Sequence, residues 1–346
     1  MTEMEIPEDL IAKYNLPVPR YTSYPPANYF YNDFKADEYK IAIIRSNEDH
    51  PNNISIYIHI PFCTKLCYFC GCNSYLTRDK NIIKNYIDAI KKEILMVKGL
   101  LNHSRKVSQV HWGGGTPNSI PAEMINDVMR LIKDNFSFIS KPEIAIECHP
   151  ALLDESYLDK LITAGFNRFS LGIQDFSQEV LSGVNRDSPT IPVEEIVTQI
   201  RSYNNIGVNM DFIYGLPLQT KTTFSETIEK AVQISPDRLV TFSYAHVPWI
   251  KKAQKILETK GLPQAKEKLE MFKTGYKILT DSDYTPIGLD HFAKKDDDLS
   301  IALKNRKLHR NFQGYCTRET TGQVYAFGAT GISQLENVYT QNEKDP

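Results

Sequence analysis

The chain has 346 residues, 40 of them basic and 42 acidic, for a formal charge of −2. That balance gives no sign of nucleic-acid binding. No apolar run approaches the roughly 18 residues of a membrane-spanning helix, and the opening MTEMEIPEDLIAKY lacks the basic start and apolar stretch of a signal peptide.

Residues 1–50 contain RYTSYPPANYF, rich in Tyr and Pro, which reads as an extended arm crossing a surface rather than a domain. From residue 54 a pattern repeats. Apolar strand-like runs are predicted at 54–60, 107–112, 143–148, 168–173, 207–213 and 238–244, with amphipathic stretches between them. Ile82, Ile83, Tyr86, Ile87, Ile90 and Ile94 recur at three- and four-residue steps, as on one helix face that stops near Gly99. A second helix is predicted over AEMINDVMRLIKDNF with Pro121 in its first turn. A third, ESYLDKLITA, has Asp154 to cap it and Gly165 to end it.

Six strand–helix units in series imply parallel strands joined by right-handed crossovers. Six rather than eight predicts an α/β fold with an open partial (β/α)6 TIM-like barrel. An N-terminal arm (1–50) precedes its core (51–260), and a C-terminal region (261–346) that opens on a helical stretch follows. In such barrels the chemistry gathers at the C-terminal ends of the strands. The unusual residues fall there: the cysteines after strand one, HWGGGTP, ECHP, GIQDF, MDFIYGLP and SYAHVP after the others.

Cys63, Cys67, Cys70 and Cys72 lie within ten residues, spaced CxxxCxxCxC, after the alternating strand ISIYIHI and Pro61. Structural zinc draws on two separated pairs of ligands, and a second pair is absent nearby. A CxxxCxxC triplet can instead hold three irons of a cubane cluster and leave the fourth open to a small molecule, with Phe62, Tyr68 and Phe69 shielding it. Four clustered thiols out of six do not form a disulfide framework, so a reducing cytoplasm is the expected compartment. Cys148 and Cys316 read as buried thiols. Gly113, Gly114 and Gly115 let backbone approach a ligand and expose amides. Glu147 ends an apolar strand and needs a partner; an ion pair would serve. Gln174, Arg186 and Asp211 add polar groups at later strand ends.

YIHIPFCTKLCYFCGC, with RYTSYP, LDHFA and HRNFQGY, resembles the radical S-adenosylmethionine superfamily. Within it the chain is similar to the oxygen-independent coproporphyrinogen III oxidase (dehydrogenase) family of anaerobic haem biosynthesis. The resemblance implies that Cys63, Cys67 and Cys70 hold a [4Fe–4S] cluster, that Cys72 is not a ligand, and that S-adenosylmethionine chelates the fourth iron. It places Gly114, Gly115 and Thr116 at the amino end of that molecule and Glu147 on its ribose. A second S-adenosylmethionine is implied at Gln174, Arg186 and Asp211, with Tyr57 and Ala245. Phe312, Gln313 and Ile332 fall near the family's active site, although ordinary core explains Phe312 and Ile332 equally well. Tyr57, Glu147, Phe312, Gln313 and Ile332 are thus candidate catalytic residues, with Ile332 also at the cofactor. Arg20 lies in an arm near the substrate opening.

The implied reaction is oxidative decarboxylation of two propionates of coproporphyrinogen III to vinyl groups, through a 5′-deoxyadenosyl radical. It needs a flavodoxin- or ferredoxin-like electron donor and an unidentified acceptor, and a monomer is expected. Family members continue into a mainly helical C-terminal segment where this chain stops at QNEKDP, so the resemblance makes 261–346 the start of an incomplete, substrate-covering region, and cofactor cleavage is expected to separate from product formation. Two other readings stay open: another haem-related radical protein (a ring-opening methyltransferase or a haem chaperone), or a non-catalytic metal-binding protein that takes zinc.

Overall fold

The computed structural model describes residues 6–16, 26–317 and 323–346. The RYTSYP motif and Arg20 lie outside them. The six predicted strands form as read: β1 (Ile54–Ile60), β2 (Lys106–Gly114), β3 (Ser137–Cys148), β4 (Arg168–Gln174), β5 (Gly207–Tyr214) and β6 (Arg238–Ser243). Five more follow: β7 (Tyr284–Ile287), β8 (His291–Lys294), β9 (Gln323–Phe327), β10 (Ile332–Gln334) and β11 (Tyr339–Gln341). All belong to one sheet of 11 strands in the order β11–β10–β9–β1–β2–β3–β4–β5–β6–β8–β7.

The C-terminal region therefore extends the barrel sheet at both edges. β9 joins β1 in parallel, Ile54 opposite Gln323 and Ile58 opposite Phe327, while β8 runs antiparallel to β6. These strands are only three to five residues long, too short for a periodicity signal.

Between the parallel strands run the expected crossover helices. Lys80–Lys98 starts on Asp79, whose carboxylate accepts from Asn81 and Ile82 N–H, and ends at Gly99. Its face Ile83, Tyr86, Ile87, Ile90, Ile94 is buried, whereas Ile82 is turned outward. Ala122–Asn135 begins one residue after Pro121, which takes the cap position rather than the first turn. Asp154 caps Glu155–Thr163 as read, and Gly165 (φ 98°) makes the left-handed exit only glycine adopts freely. In the arm, residues 36–45 form a helix that the sequence reading missed; it docks through buried Ile43 and a Tyr39–Ser333 hydroxyl contact of 2.9 Å.

Strand alternation divides the molecule into two interiors. Outward-facing Ile56, Ile58, Val110, Trp112, Ile144, Ile146, Phe169, Leu171, Val208, Met210 and Phe212 form the apolar core under the helices. Each buried isoleucine or phenylalanine there stabilises the fold by about 1.5–3 kcal/mol. The alternate residues face the inside of the sheet's curve and are largely polar: Gln109 and His111, Glu143 and Glu147, Arg168 and Ser170, Asn209 and Asp211. The barrel interior is thus a polar chamber rather than a filled core. Among the described residues, no helix is long and apolar enough to cross a membrane.

Candidate active site

One cavity of about 550 Å3 opens at the C-terminal ends of the parallel strands. Its wall carries Cys63, Cys67, Cys70 and Cys72, Gly114, Gly115 and Thr116, Glu147, Gln174, Arg186, Asp211, Ala245 and Gln313. Tyr57 joins them from β1, stacked on His111 at 5.9 Å between ring centroids. Phe312 and Ile332 stand apart from this wall. Phe312 packs edge-on against Phe30 and Tyr339, at 6.0 and 5.2 Å, and Ile332 pairs with Gln341 in the sheet edge.

The cysteine loop is built by local pairing. Phe62–Cys63 forms a short parallel ladder with Tyr75–Leu76, which closes the loop around the thiols. Thr116 Oγ1 lies 3.3 Å from Cys63 Sγ, and Arg186 Nη1 lies 3.6 Å from Cys67 Sγ. Burial pushes the Cys63 thiol up to about 11 and raises that of Cys67 against the pull of Arg186. Cys70 is lowered to about 6 by a hydrogen bond from Cys72, whose own thiol is raised by the same contact. Phe62 turns into the apolar core against Tyr86 (5.0 Å), while Phe69 lines the cavity beside the cysteines.

Straps hold the loop to its neighbours. Gln254, 1% exposed, donates to the Phe69 carbonyl at 3.0 Å and to the Ala245 carbonyl at 3.2 Å, and accepts from Val247 N–H. Lys251 Nζ reaches the Cys72 carbonyl at 2.6 Å.

The glycine turn behaves differently from its sequence reading. Gly115 N–H donates to the Ile60 carbonyl at 2.8 Å and Thr116 N–H to that of Phe62 at 3.0 Å. These amides fasten the turn to the cysteine loop instead of facing a ligand. A Cβ on Gly114 (φ 123°) would fall 2.7 Å from Ile60 O, and one on Gly115 2.8 Å from Pro61 O. A Cβ on Gly113 would meet side chains, Glu147 Oε1 at 2.7 Å and Tyr57 Oη at 3.0 Å.

Glu147 does have the partner its position requires. His111 Nε2 is 2.9 Å from its Oε1. Burial alone would lower the His111 pKa, but the Glu147 hydrogen bond and charge raise it overall. Asp211 accepts from Ser170 Oγ at 3.1 Å; burial, followed by the nearby Glu147 charge, lifts its carboxyl to about 7. Deeper in the chamber Glu143 accepts from Gln109 (2.8 Å) and Arg168 (2.8 Å) and faces Arg238 (3.4 Å). Burial opposes ionisation there, yet the two guanidiniums outweigh it and hold Glu143 down at about 2.

Sequence reasoning missed His111, Glu143, Arg168 and Arg238. The available signal was the polar residue at every second position of otherwise apolar strands.

Two observations test the fit of the implied cofactors. Gln174 sits in the left-handed region (φ 69°), and its buried Oε1 has no hydrogen-bond partner among the described residues. Such an orphaned acceptor costs about 1–3 kcal/mol and suits a ligand's amino or hydroxyl hydrogen. The thiols share one wall, but among the described residues no three His, Cys, Asp or Glu side chains converge on a point that would hold a single ion. Three thiolates on one loop suit the several irons of a cluster. The residues present therefore fit both groups.

An open α/β barrel carrying a thiol triplet after β1 and a carboxylate at the end of β3 is the arrangement of a radical S-adenosylmethionine protein, and the family described as "Radical SAM superfamily" matches residues 57–231. Oxygen-independent coproporphyrinogen III oxidase from Synechocystis is 44% identical over 341 residues, 99% of this chain and 73% of that one. Its Escherichia coli counterpart is 42% identical over 336 residues, 97% and 72%. The solved structure of the E. coli coproporphyrinogen III oxidase superposes with a TM-score of 0.90 at 40% identity, over 99% of this chain and 76% of that one. The chain belongs to the oxygen-independent coproporphyrinogen III oxidase family.

Proposed function

We propose that this chain carries out the oxidative decarboxylation of two propionates of coproporphyrinogen III, forming the vinyl groups of protoporphyrinogen IX in anaerobic haem biosynthesis. The observation that carries this reading is the single wall shared by Cys63, Cys67, Cys70, Glu147 and Asp211, in a chain of that family. When bound, the [4Fe–4S] cluster and S-adenosylmethionine supply one-electron cleavage of a sulfonium bond and removal of a hydrogen atom from a propionate β-carbon.

The chain's own residues position, neutralise and enclose. Cys63, Cys67 and Cys70 provide three thiolates, and Cys72 supports Cys70 through their hydrogen bond. Glu147, held by His111, accepts ribose hydroxyls. Gly114, Gly115 and Thr116 fasten the turn to the cysteine loop and line the amino end of the site. For a second molecule of S-adenosylmethionine, Arg186 faces its carboxylate and Asp211 its amino group, with Gln174 Oε1 accepting and Tyr57 and Ala245 lining the remainder. Gln313 meets the substrate on the wall, and Phe312 and Ile332 shape its approach from behind.

A flavodoxin- or ferredoxin-like donor provides the reducing electron, and an acceptor takes the last electron of each decarboxylation. The six cysteines, all free, support a reducing, cytoplasmic setting.

Anaerobic reconstitution with iron and sulfide, reduction, and product analysis with coproporphyrinogen III test the reading. Protoporphyrinogen with two equivalents of carbon dioxide is expected, with 5′-deoxyadenosine in excess over it where cofactor cleavage runs uncoupled. Methyl transfer, haem binding without turnover, or a colourless zinc protein would each displace it.

A further inference from the structure

One titratable pair on the cavity wall has no part in that chemistry. His291 opens β8, and Asp290 precedes it. In the ladder His291 stands opposite Val240, whose side chain faces the cavity with Arg238 and Phe242. Directly opposed residues point to the same face of a sheet, so the imidazole also turns inward.

Its orientation is fixed on three sides. Asp290, 6% exposed, places Oδ1 at 2.6 Å from Nδ1. Phe242 and Tyr315 meet the ring edge-on at 6.2 and 4.9 Å. Tyr315 is itself tied down, accepting the Leu289 N–H at 3.1 Å. With Nδ1 engaged, Nε2 is the atom left for a ligand. Gly314 lies beside Nε2 at ordinary contact distance, a Cβ there falling 3.8 Å away.

We propose that His291, held by Asp290, is a substrate-positioning residue whose Nε2–H binds one propionate carboxylate of the porphyrinogen. This rests on the substrate assigned above. Of the three arginines on that wall, Arg168 and Arg238 pair with Glu143 and Asp297, and Arg186 is assigned above to the cofactor. With Asp290 on Nδ1, the ring can meet a carboxylate only along Nε2. Five strands separate β8 from β1 along the sheet, so this anchor and the cysteine loop belong to different parts of the one cavity wall. It holds a propionate other than the reacting one and so orients the macrocycle.

The test uses the reconstituted full chain and the variants His291→Phe, His291→Gln and Asp290→Asn. The phenylalanine variant should raise KM for coproporphyrinogen III about tenfold, with a far smaller change in kcat and wild-type iron content. Glutamine, which keeps a neutral N–H, should recover part of the loss, and Asp290→Asn should fall between. Measured as binding to the loaded protein, since the tetramethyl ester cannot be decarboxylated, the wild type should prefer the free acid over that ester, and His291→Phe should shrink the preference by about the same factor.

An unchanged KM, an undiminished acid preference, or a parallel loss of iron would overturn the assignment. A wild type that fails to convert coproporphyrinogen III at all overturns the functional reading, and this inference with it.

Discussion

His111 Nε2 donates to Glu147 Oε1 across 2.9 Å, joining adjacent strands at the rim of the cavity. The carboxylate is thereby held in one direction, with its other oxygen left to a ligand. Glu147→Ala should weaken S-adenosylmethionine binding by tenfold or more, about the worth of a hydrogen bond to a charged group. His111→Phe should cost less, because it removes the support and leaves the acceptor. Equilibrium binding to reconstituted, cluster-loaded protein checks both. Unaltered affinity in Glu147→Ala would remove this residue from the cofactor site.

The glycine turn separates two roles that sequence alone merged. The nearest atoms to a Cβ on Gly113 belong to the side chains of Glu147 and Tyr57, whereas one on Gly114 meets the Ile60 carbonyl at a positive φ. Gly113→Ala should therefore displace Glu147 and lower S-adenosylmethionine affinity while the thermal midpoint changes little. Gly114→Ala should destabilise the fold by roughly 1–3 kcal/mol through strain. Thermal unfolding and binding on the two variants should give opposite rankings, and the same ranking in both would show that the turn is a single unit.

The central barrel was legible because its strands are long and its crossover helices carry periodic apolar faces. Ile83, Ile87, Ile90 and Ile94 declare their helix by spacing alone. The edge strands were not legible, since three- or four-residue segments such as Ile332–Gln334 carry too little pattern. At the site, the thiol triplet and Glu147 stood out as residue types misplaced in apolar surroundings. His111 and Glu143 show the same period-two signature, but recognising it required knowing that the inner face of the sheet is polar. His291 was hidden for a different reason: its neighbours in the cavity come from residues distant in the chain, and only the antiparallel ladder with β6 brings them together.

The three thiols of the triplet and the fourth nearby should differ in their consequences. Cys63→Ser, Cys67→Ser and Cys70→Ser should each abolish reconstituted iron and its broad absorption. Cys72→Ser should retain most of the iron, since Cys72 supports Cys70 only through a hydrogen bond. Iron and sulfide analysis after anaerobic reconstitution decides this, and an equal loss in all four variants would indicate a four-cysteine site with no open iron.

Glu143 is the carboxylate whose ionisation the chamber enforces most strongly. Arg168 and Arg238 hold its pKa at about 2 from an ordinary 4.5, against the opposing effect of burial. A carboxyl depressed in the folded state contributes stability that is fully present above its unfolded value and lost as pH falls through the folded one. The window here runs from about pH 4.5 down to about pH 2. The full effect is of order 3 kcal/mol. Glu143→Gln removes that dependence and leaves Arg168 and Arg238 short of a counter-charge, so it should be less stable than wild type at pH 7, and the gap should narrow as pH approaches 3. Denaturant unfolding of both proteins between pH 3 and pH 7 measures the gap directly. A constant difference across that range would mean that the Arg168–Glu143–Arg238 group is not ionised as its geometry requires.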